Sequence, residues 1–164
     1  MIHIRSSSTY NNKLSGDYKD YLIRKISSLM ADEFIACYQY RISALLSSRN
    51  YNENIINQFT EHSNDELKHF DMLCDLASKL KIEDKIMVSF ESLVNRTNCK
   101  IDKIPFDTIE NNQIQIDGES CAIKSYSELL KVAKENNDVV TCEVIKSIIN
   151  DEVEHETDLE EFNS

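Results

Sequence analysis

The sequence predicts an all-α fold: a four-helix bundle of two antiparallel hairpins, joined by a long crossover that carries a short extra helix. Three observations point there. Two glycines and one proline in 164 residues leave few helix breakers. Apolar residues recur at helical spacing through several long stretches. The segments Asp65-Glu66-Leu67-Lys68-His69 and Asp151-Glu152-Val153-Glu154-His155 repeat one pattern 86 residues apart, and each is preceded 33 residues earlier by a glutamate, Glu33 and Glu119. Tyr40 and Tyr126 keep the same 86-residue offset.

In chain order, residues 1–16 are Ser- and Asn-rich and read as a flexible arm, with the bundle domain occupying 17–164. The first helix is expected from Asp17 to Ser48, because Leu22, Ile26, Leu29, Met30, Phe34, Cys37, Ile42 and Leu45 fall on helical spacing. The polar run from Ser47 to Asn54 ends it and caps a second helix from Glu53 to Leu80. Ile82 to Asn98 has the pattern of a shorter amphipathic helix through Ile86, Phe90, Leu93 and Val94, followed by a polar connection containing Pro105. The third long helix is expected from Glu119 to Glu135, and the fourth from Val139 to Phe162.

Ligand spacing and turn chemistry agree on the hairpins. If Glu33 and Glu66 meet across an antiparallel pair, the turn lies near residues 49–50, where Asn50 and the polar run stand. The same reasoning for Glu119 and Glu152 places a turn at 135–136, beside Asn136-Asn137-Asp138. Two independent levels of the sequence therefore support one topology.

Charge and composition exclude several function classes. A net charge of −11 opposes a phosphate backbone and suits the attraction of cations into clefts. The polar start has no secretory core, and no stretch has the length of a membrane span. Five cysteines without a CxxC pair read as reduced thiols in a cytoplasmic setting, with Cys74, Cys99, Cys121 and Cys142 as packing residues or free thiols.

On a helix, residues three apart share a face, so Glu66 with His69, and Glu152 with His155, each present a carboxylate and an imidazole to one point. One such pair is commonly just a solvated helix face. Two of them, each with an upstream glutamate in an apolar stripe, are another matter, because unpaired buried carboxylates are costly. Oxygen and nitrogen donors of this kind suit iron or manganese. The expected arrangement has Glu66 and Glu152 bridging two ions, Glu33 and His69 completing one, and Glu119 and His155 the other.

This pattern resembles the ferritin-like superfamily, most closely bacterioferritin and Dps-like cage proteins with a bacterioferritin-type site, over about Asp20 to Phe162. The ending Asp151 to Glu160 is similar to the bacterioferritin fourth helix, and Tyr40 and Tyr126 match tyrosines near the family's dimetal centre. The resemblance implies a ferroxidase that binds two iron ions per chain, oxidises Fe(II) with peroxide or oxygen, and stores ferric mineral in a homo-oligomeric shell. The alternative is a dimetal redox enzyme without storage, either a rubrerythrin-like peroxidase or a manganese catalase. Departures refine the expectation. Leu67 stands where haem-binding bacterioferritins carry an axial methionine, so no haem is expected. Ala122 stands where rubrerythrins have an extra glutamate. The chain ends nine residues after His155, short of a fifth helix, and the long middle connection points to a twelve-subunit shell. The arm lacks the lysine cluster with which some Dps proteins bind DNA, so no nucleic-acid partner is expected.

A second constellation involves Cys37 and His62, each four residues from a glutamate of the pattern. The hairpin places them at one height, and Glu156 reaches that height if the fourth helix runs parallel to the first. These three are the candidates for an outer metal site, against the plainer reading of a core cysteine and histidine.

Overall fold

The computed structural model describes residues 14–48, 53–86, 89, 91–92, 95–99, 104–105 and 107–162. Among them are four long helices: α1 (Gly16–Ser47), α2 (Glu53–Lys79), α3 (Thr108–Glu135) and α4 (Val139–Phe162). A 3-10 turn at Glu83–Lys85 follows α2. Residues 1–13 of the expected arm and the 49–52 turn lie outside the described residues.

Local chemistry sets the helix ends. Ser15 caps α1 by accepting the Tyr18 amide at 3.2 Å, and the Asp107 carboxylate caps α3 by accepting the amides of Ile109 and Glu110, both at 3.0 Å. Asp138 does the same for α4, accepting the Thr141 amide at 3.0 Å and its hydroxyl at 2.6 Å. Helix α3 ends at Asn136-Asn137, where Asn137 takes φ 54° and the Asp138 amide returns to the Ala133 carbonyl at 2.9 Å. Asparagine tolerates that left-handed conformation better than most side chains.

The helices pair as α1 with α2 and α3 with α4, and the hairpins meet through α1–α3 and α2–α4. The Tyr18 hydroxyl donates to Asp138 Oδ2 at 2.9 Å, so α1 and α4 begin at the same end and run parallel. At the opposite end the Ser43 hydroxyl donates to Asn111 Oδ1 at 2.8 Å, bringing the end of α1 to the start of α3.

Two apolar layers fill the bundle. The larger contains Leu22, Ile26, Leu29, Leu73, Leu76, Tyr126, Leu129, Ile145 and Ile148; the smaller contains Tyr40, Ala44, Ile55, Phe59, Ile116 and Leu159. Between them, on every helix, lie the carboxylates and imidazoles of the repeated pattern.

Two expectations need correction, and a third falls largely outside the described residues. Helix α3 begins at Thr108, eleven residues before Glu119. Its first turns put Asn111, Asn112 and Gln115 on the inner face, where they bond Ser43 and the Leu159 carbonyl, so amides stand there in place of the apolar stripe that marks a helix in sequence. Of the helix expected over 82–98, residues 87, 88, 90, 93 and 94 lie outside the described residues. The described ones give the 3-10 turn and helical backbone only at 91–92. Finally, Cys99 and Cys121 are joined in a disulfide, with Cα atoms 5.8 Å apart, and are not free thiols. The crossover runs alongside α3 at that point, a proximity no local spacing encodes. With two of five cysteines oxidised, the thiol argument for a reducing compartment falls away.

The same crossover is held by Asp32, whose Oδ1 accepts the Thr97 hydroxyl at 2.6 Å and the amides of Asn98 and Cys99 at 2.6 and 3.0 Å. Truncating it removes three hydrogen bonds from part-buried and exposed donors to a carboxylate, so Asp32→Ala is expected to cost about 1–3 kcal/mol in denaturant unfolding. Reduction of the disulfide, or Cys121→Ser, releases a loop spanning 22 residues and should cost roughly 3 kcal/mol, read from the same measurement on oxidised and reduced protein.

Candidate metal centre

Each of the four helices contributes to one buried cluster: Glu33 from α1, Glu66 and His69 from α2, Glu119 from α3, and Glu152 and His155 from α4. None of the six is more than 4 % exposed. They form two overlapping donor groups. Glu33, Glu66, His69 and Glu152 make one, and Glu66, Glu119, Glu152 and His155 the other, with ligand atoms in each group within 4.8 Å of one another. Glu66 and Glu152 belong to both, as bridging positions would.

His69 Nδ1 lies 3.4 Å from Glu33, 3.6 Å from Glu66 and 3.2 Å from Glu152. His155 Nδ1 lies 3.3 Å from Glu66, 3.7 Å from Glu119 and 3.4 Å from Glu152. These are close contacts without hydrogen-bond geometry. Both Nδ1 atoms, both Glu152 oxygens, Glu33 Oε2 and Glu66 Oε1 are buried and make no hydrogen bond. Buried polar atoms are rarely left this way. Here the orphaned atoms are the ones turned toward the centre of the cluster. Four carboxylates carry four negative charges, which two divalent cations beside neutral imidazoles would cancel, so the donor set fits a pair of metal ions.

The surrounding residues repeat the twofold pattern and cross between hairpins. The Tyr40 hydroxyl on α1 donates to Glu119 on α3, and the Tyr126 hydroxyl on α3 donates to Glu33 on α1. Asp151 lies 3.2 Å from His69 Nε2, and Asp65 lies 3.6 Å from His155 Nε2. A carboxylate on the outer nitrogen of a ligating imidazole fixes the ring and raises its basicity. Sequence reasoning assigned no role to Asp65 and Asp151, although both stand in the duplicated motif at the same 86-residue offset.

Burial and mutual repulsion shift the proton affinities of the cluster. Burial, then the charge of Glu152, pushes the Glu33 carboxyl up. Burial, with neighbouring glutamates, pushes Glu66 and Glu119 well above the usual carboxylate range. Burial also opposes ionisation of Glu152, but the imidazoles of His155 and His69 outweigh it and hold that carboxyl at about 2. Burial lowers both imidazoles, yet the facing carboxylates win and raise His69 and His155. Burial followed by the adjacent glutamates keeps Tyr40 and Tyr126 neutral donors.

The cluster is approached from two faces. On the α1–α3 side a cavity of about 30 Å³, lined by Glu33, Tyr40, Glu66, Cys99 and Glu119, has room for little more than a water molecule. On the α2–α4 side a cleft of about 390 Å³ reaches His69 and His155.

The expected outer constellation does not assemble. Cys37 Sγ meets the Ser63 hydroxyl at 3.4 Å, between α1 and α2, and Glu156 accepts from Ser120, between α4 and α3. His62 lies between α2 and α4, stacked on His155 with ring centroids 4.1 Å apart and 3.6 Å from Asp158. The three share a height but point into different helix interfaces. Burial and then His155 push the His62 imidazole down to about 4. Leu67, at the position considered for haem, is exposed on α2.

Comparison with known proteins agrees with this architecture. The family model described as "Ferritin-like domain" matches residues 23–164. The bacterioferritin-related protein of Bacteroides fragilis, described as a dodecameric thioferritin, superposes with a TM-score of 0.83 at 25% identity, covering 95% of this chain and 90% of that one. The DPS protein of Vibrio cholerae O1, described as a member of a superfamily of ferritin-like diiron-carboxylate proteins, superposes at 0.81 with 18% identity, covering 92% of this chain and 94% of that one. The sequence comparison with curated proteins finds no match. Among the described residues no helix is long and apolar enough to cross a membrane.

The shifts define a pH test. Glu33, Glu66, Glu119, His69 and His155 all have folded pKa values raised above their unfolded ones, so each contributes stability at low pH that is lost as pH rises through its folded value. Glu152, held at about 2, contributes stability present above the ordinary carboxylate range and lost on acidification toward 2. Thermal melts of metal-free protein should therefore be highest at mildly acidic pH and fall toward pH 9. Metal-loaded protein should show the opposite slope between pH 5 and 8, because the metal needs the ligands deprotonated.

Proposed function

Because the chain belongs to the ferritin-like family, we propose that it is a ferroxidase, taking Fe(II) as substrate at the six-residue cluster and storing the ferric product inside a homo-oligomeric shell. One observation carries this reading: six donors from four helices converge with their unpartnered atoms facing one another, in two groups that share Glu66 and Glu152. Two ferrous ions held this way sit close enough to deliver two electrons together. With peroxide as oxidant, each Fe(II) gives one electron, and the peroxide takes both with two protons to become two waters. Glu33 and His69 would hold one ion, Glu119 and His155 the other, and the bridging carboxylates offset the repulsion between the ions. Tyr40 and Tyr126, bonded to the terminal glutamates, orient them and are placed to supply protons or electrons.

A twelve-subunit shell is part of the proposal, supported by likeness to the dodecameric Bacteroides fragilis protein over nearly the whole chain. Tyr38 and Leu45, two turns apart on α1 and 60% and 63% exposed, offer apolar surface that a second copy would cover.

The test is an aerobic Fe(II) titration of metal-free protein followed by ferric absorbance. Soluble uptake continuing far beyond two irons per chain is expected. Rapid oxidation that stops near two would remove storage and leave a dimetal redox enzyme. Glu66→Ala and His69→Ala should each abolish the fast phase while circular dichroism shows the bundle intact; fast oxidation surviving in both would remove the assignment.

A further inference from the structure

Charge is unevenly spread over this chain. Carboxylates outnumber lysines and arginines by 29 to 18, and they line both the cleft and the small cavity beside the metal centre. A third cavity, of about 510 Å³, has the opposite character. It lies where α1 meets the 3-10 turn and the crossover, and Arg24, Lys25, Lys85 and Arg96 line it. Among the described residues no aspartate or glutamate does. Lys25 is paired with Glu128 on α3 at 3.1 Å, whereas Arg24, Lys85 and Arg96 form no ion pair with a described residue. Four cations less Glu128 leave this corner of an acidic protein with a net charge of +3.

Like charges gathered around one cavity repel one another, so a fold that holds them there does so at a cost that a bound anion offsets. Here the fold does hold them. The Arg96 carbonyl accepts the Ser28 hydroxyl at 2.8 Å, the Asn98 side chain donates to the same serine, and Asp32 accepts from Thr97, Asn98 and Cys99. The disulfide from Cys99 to Cys121 ties the same segment to α3. Ser28 stands one helical turn beyond Arg24 and Lys25, so its bond sets the Arg96 backbone beside the two α1 cations. Tyr21 and Ile23 complete the wall with an aromatic and an aliphatic side chain. Burial, then the charge of Glu128, pushes the Tyr21 hydroxyl up and keeps it a neutral donor.

We propose that this cavity binds a phosphoryl group, free or carried on a small organic molecule, with the Arg24 and Arg96 guanidiniums as its main partners and Lys85 and Lys25 adding charge. Guanidinium forks match phosphoryl oxygens two at a time, and ammonium groups serve as point charges beside them. A doubly charged phosphoryl group is balanced by the net positive charge of the site. The volume lies in the range of small-molecule sites, and Tyr21 and Ile23 give an organic substituent an apolar surface to rest on. None of the six residues of the metal centre lines this cavity, so the anion site stands or falls independently of the ferroxidase reading.

The test is calorimetric titration of metal-free, oxidised, full-length protein in low-salt buffer, with inorganic phosphate and with phenyl phosphate as probes. Wild type is compared with Arg24→Ala, Arg96→Ala and, as a control of equal charge change, Lys146→Ala on the exposed face of α4. One anion per chain is expected in wild type and in Lys146→Ala, with sulfate competing and each arginine variant weakened about tenfold or more. Tighter binding of phenyl phosphate would uphold the site as one for an organic phosphate, and equal binding would uphold it as one for the free anion. No saturable heat with either probe in wild type would overturn the proposal. Equal weakening in all three variants would also overturn it, as diffuse attraction to surface charge. Binding unchanged in both arginine variants, with particle mass altered by light scattering, would overturn it in favour of a contact between copies of the chain. Arg24 and Arg96 are exposed, so circular dichroism should show both variants folded; if one is not, the other decides.

Discussion

Everything in this bundle is arranged around one electrostatic constraint: four carboxylates and two imidazoles sealed between two apolar layers. Such a layer cannot be stabilised by burial, because removing charge from water is costly. The protein answers by holding the proton affinity of three glutamates and two histidines above their ordinary values. That arrangement leaves the central atoms without hydrogen bonds. The apolar layers on either side must therefore supply the stability that the site subtracts, as the long helices and the fully buried Leu, Ile and Phe side chains do. Function and fold divide the molecule by height: cohesion at the two ends, chemistry in the middle.

The links around the site also hold the two hairpins together. Each tyrosine reaches the glutamate of the other hairpin, and each outer aspartate reaches the histidine of the other hairpin. The donors are thus positioned by residues that are themselves on rigid helices, which is what precise ligand geometry requires. Sealing of the α1–α3 face follows from the crossover, which Asp32 and the Cys99–Cys121 disulfide fasten beside the site. Among the described residues the cavity on that side is about 30 Å³, against about 390 Å³ for the α2–α4 cleft.

How much of this could be read in the sequence follows from which interactions are periodic. The helix pairing and six clustered residues were legible because the duplication repeats ligand types at one offset, and turn residues stand midway between them. The start of α3 was not, because Asn111, Asn112 and Gln115 line its inner face with amides whose partners, Ser43 and Leu159, are far away in sequence. The disulfide and the Asp32 anchor were hidden for the same reason: both depend on where an irregular crossover lands. Asp65 and Asp151 were visible in the motif, but their role needs the opposing helix to be in place.

His62 shows where height arithmetic stops being informative. Spacing alone groups it with Cys37 and Glu156, because a hairpin register fixes how far along the bundle a residue lies. It does not fix which interface the side chain enters, and a helical rotation of about 100° per residue separates one interface from the next. Cys37 turns toward Ser63, Glu156 toward Ser120, and His62 toward His155 and Asp158. A duplicated core can therefore remain symmetric while its surroundings diverge, since the repeat covers the six clustered donors and the tyrosines and aspartates that touch them, and fails beyond these. Lys68 against Glu154, Met72 against Asp158 and Ile148 against His62 are differences the core tolerates. They surround two similar halves with unlike neighbours, a histidine and an aspartate at one position of the cleft and a methionine at another.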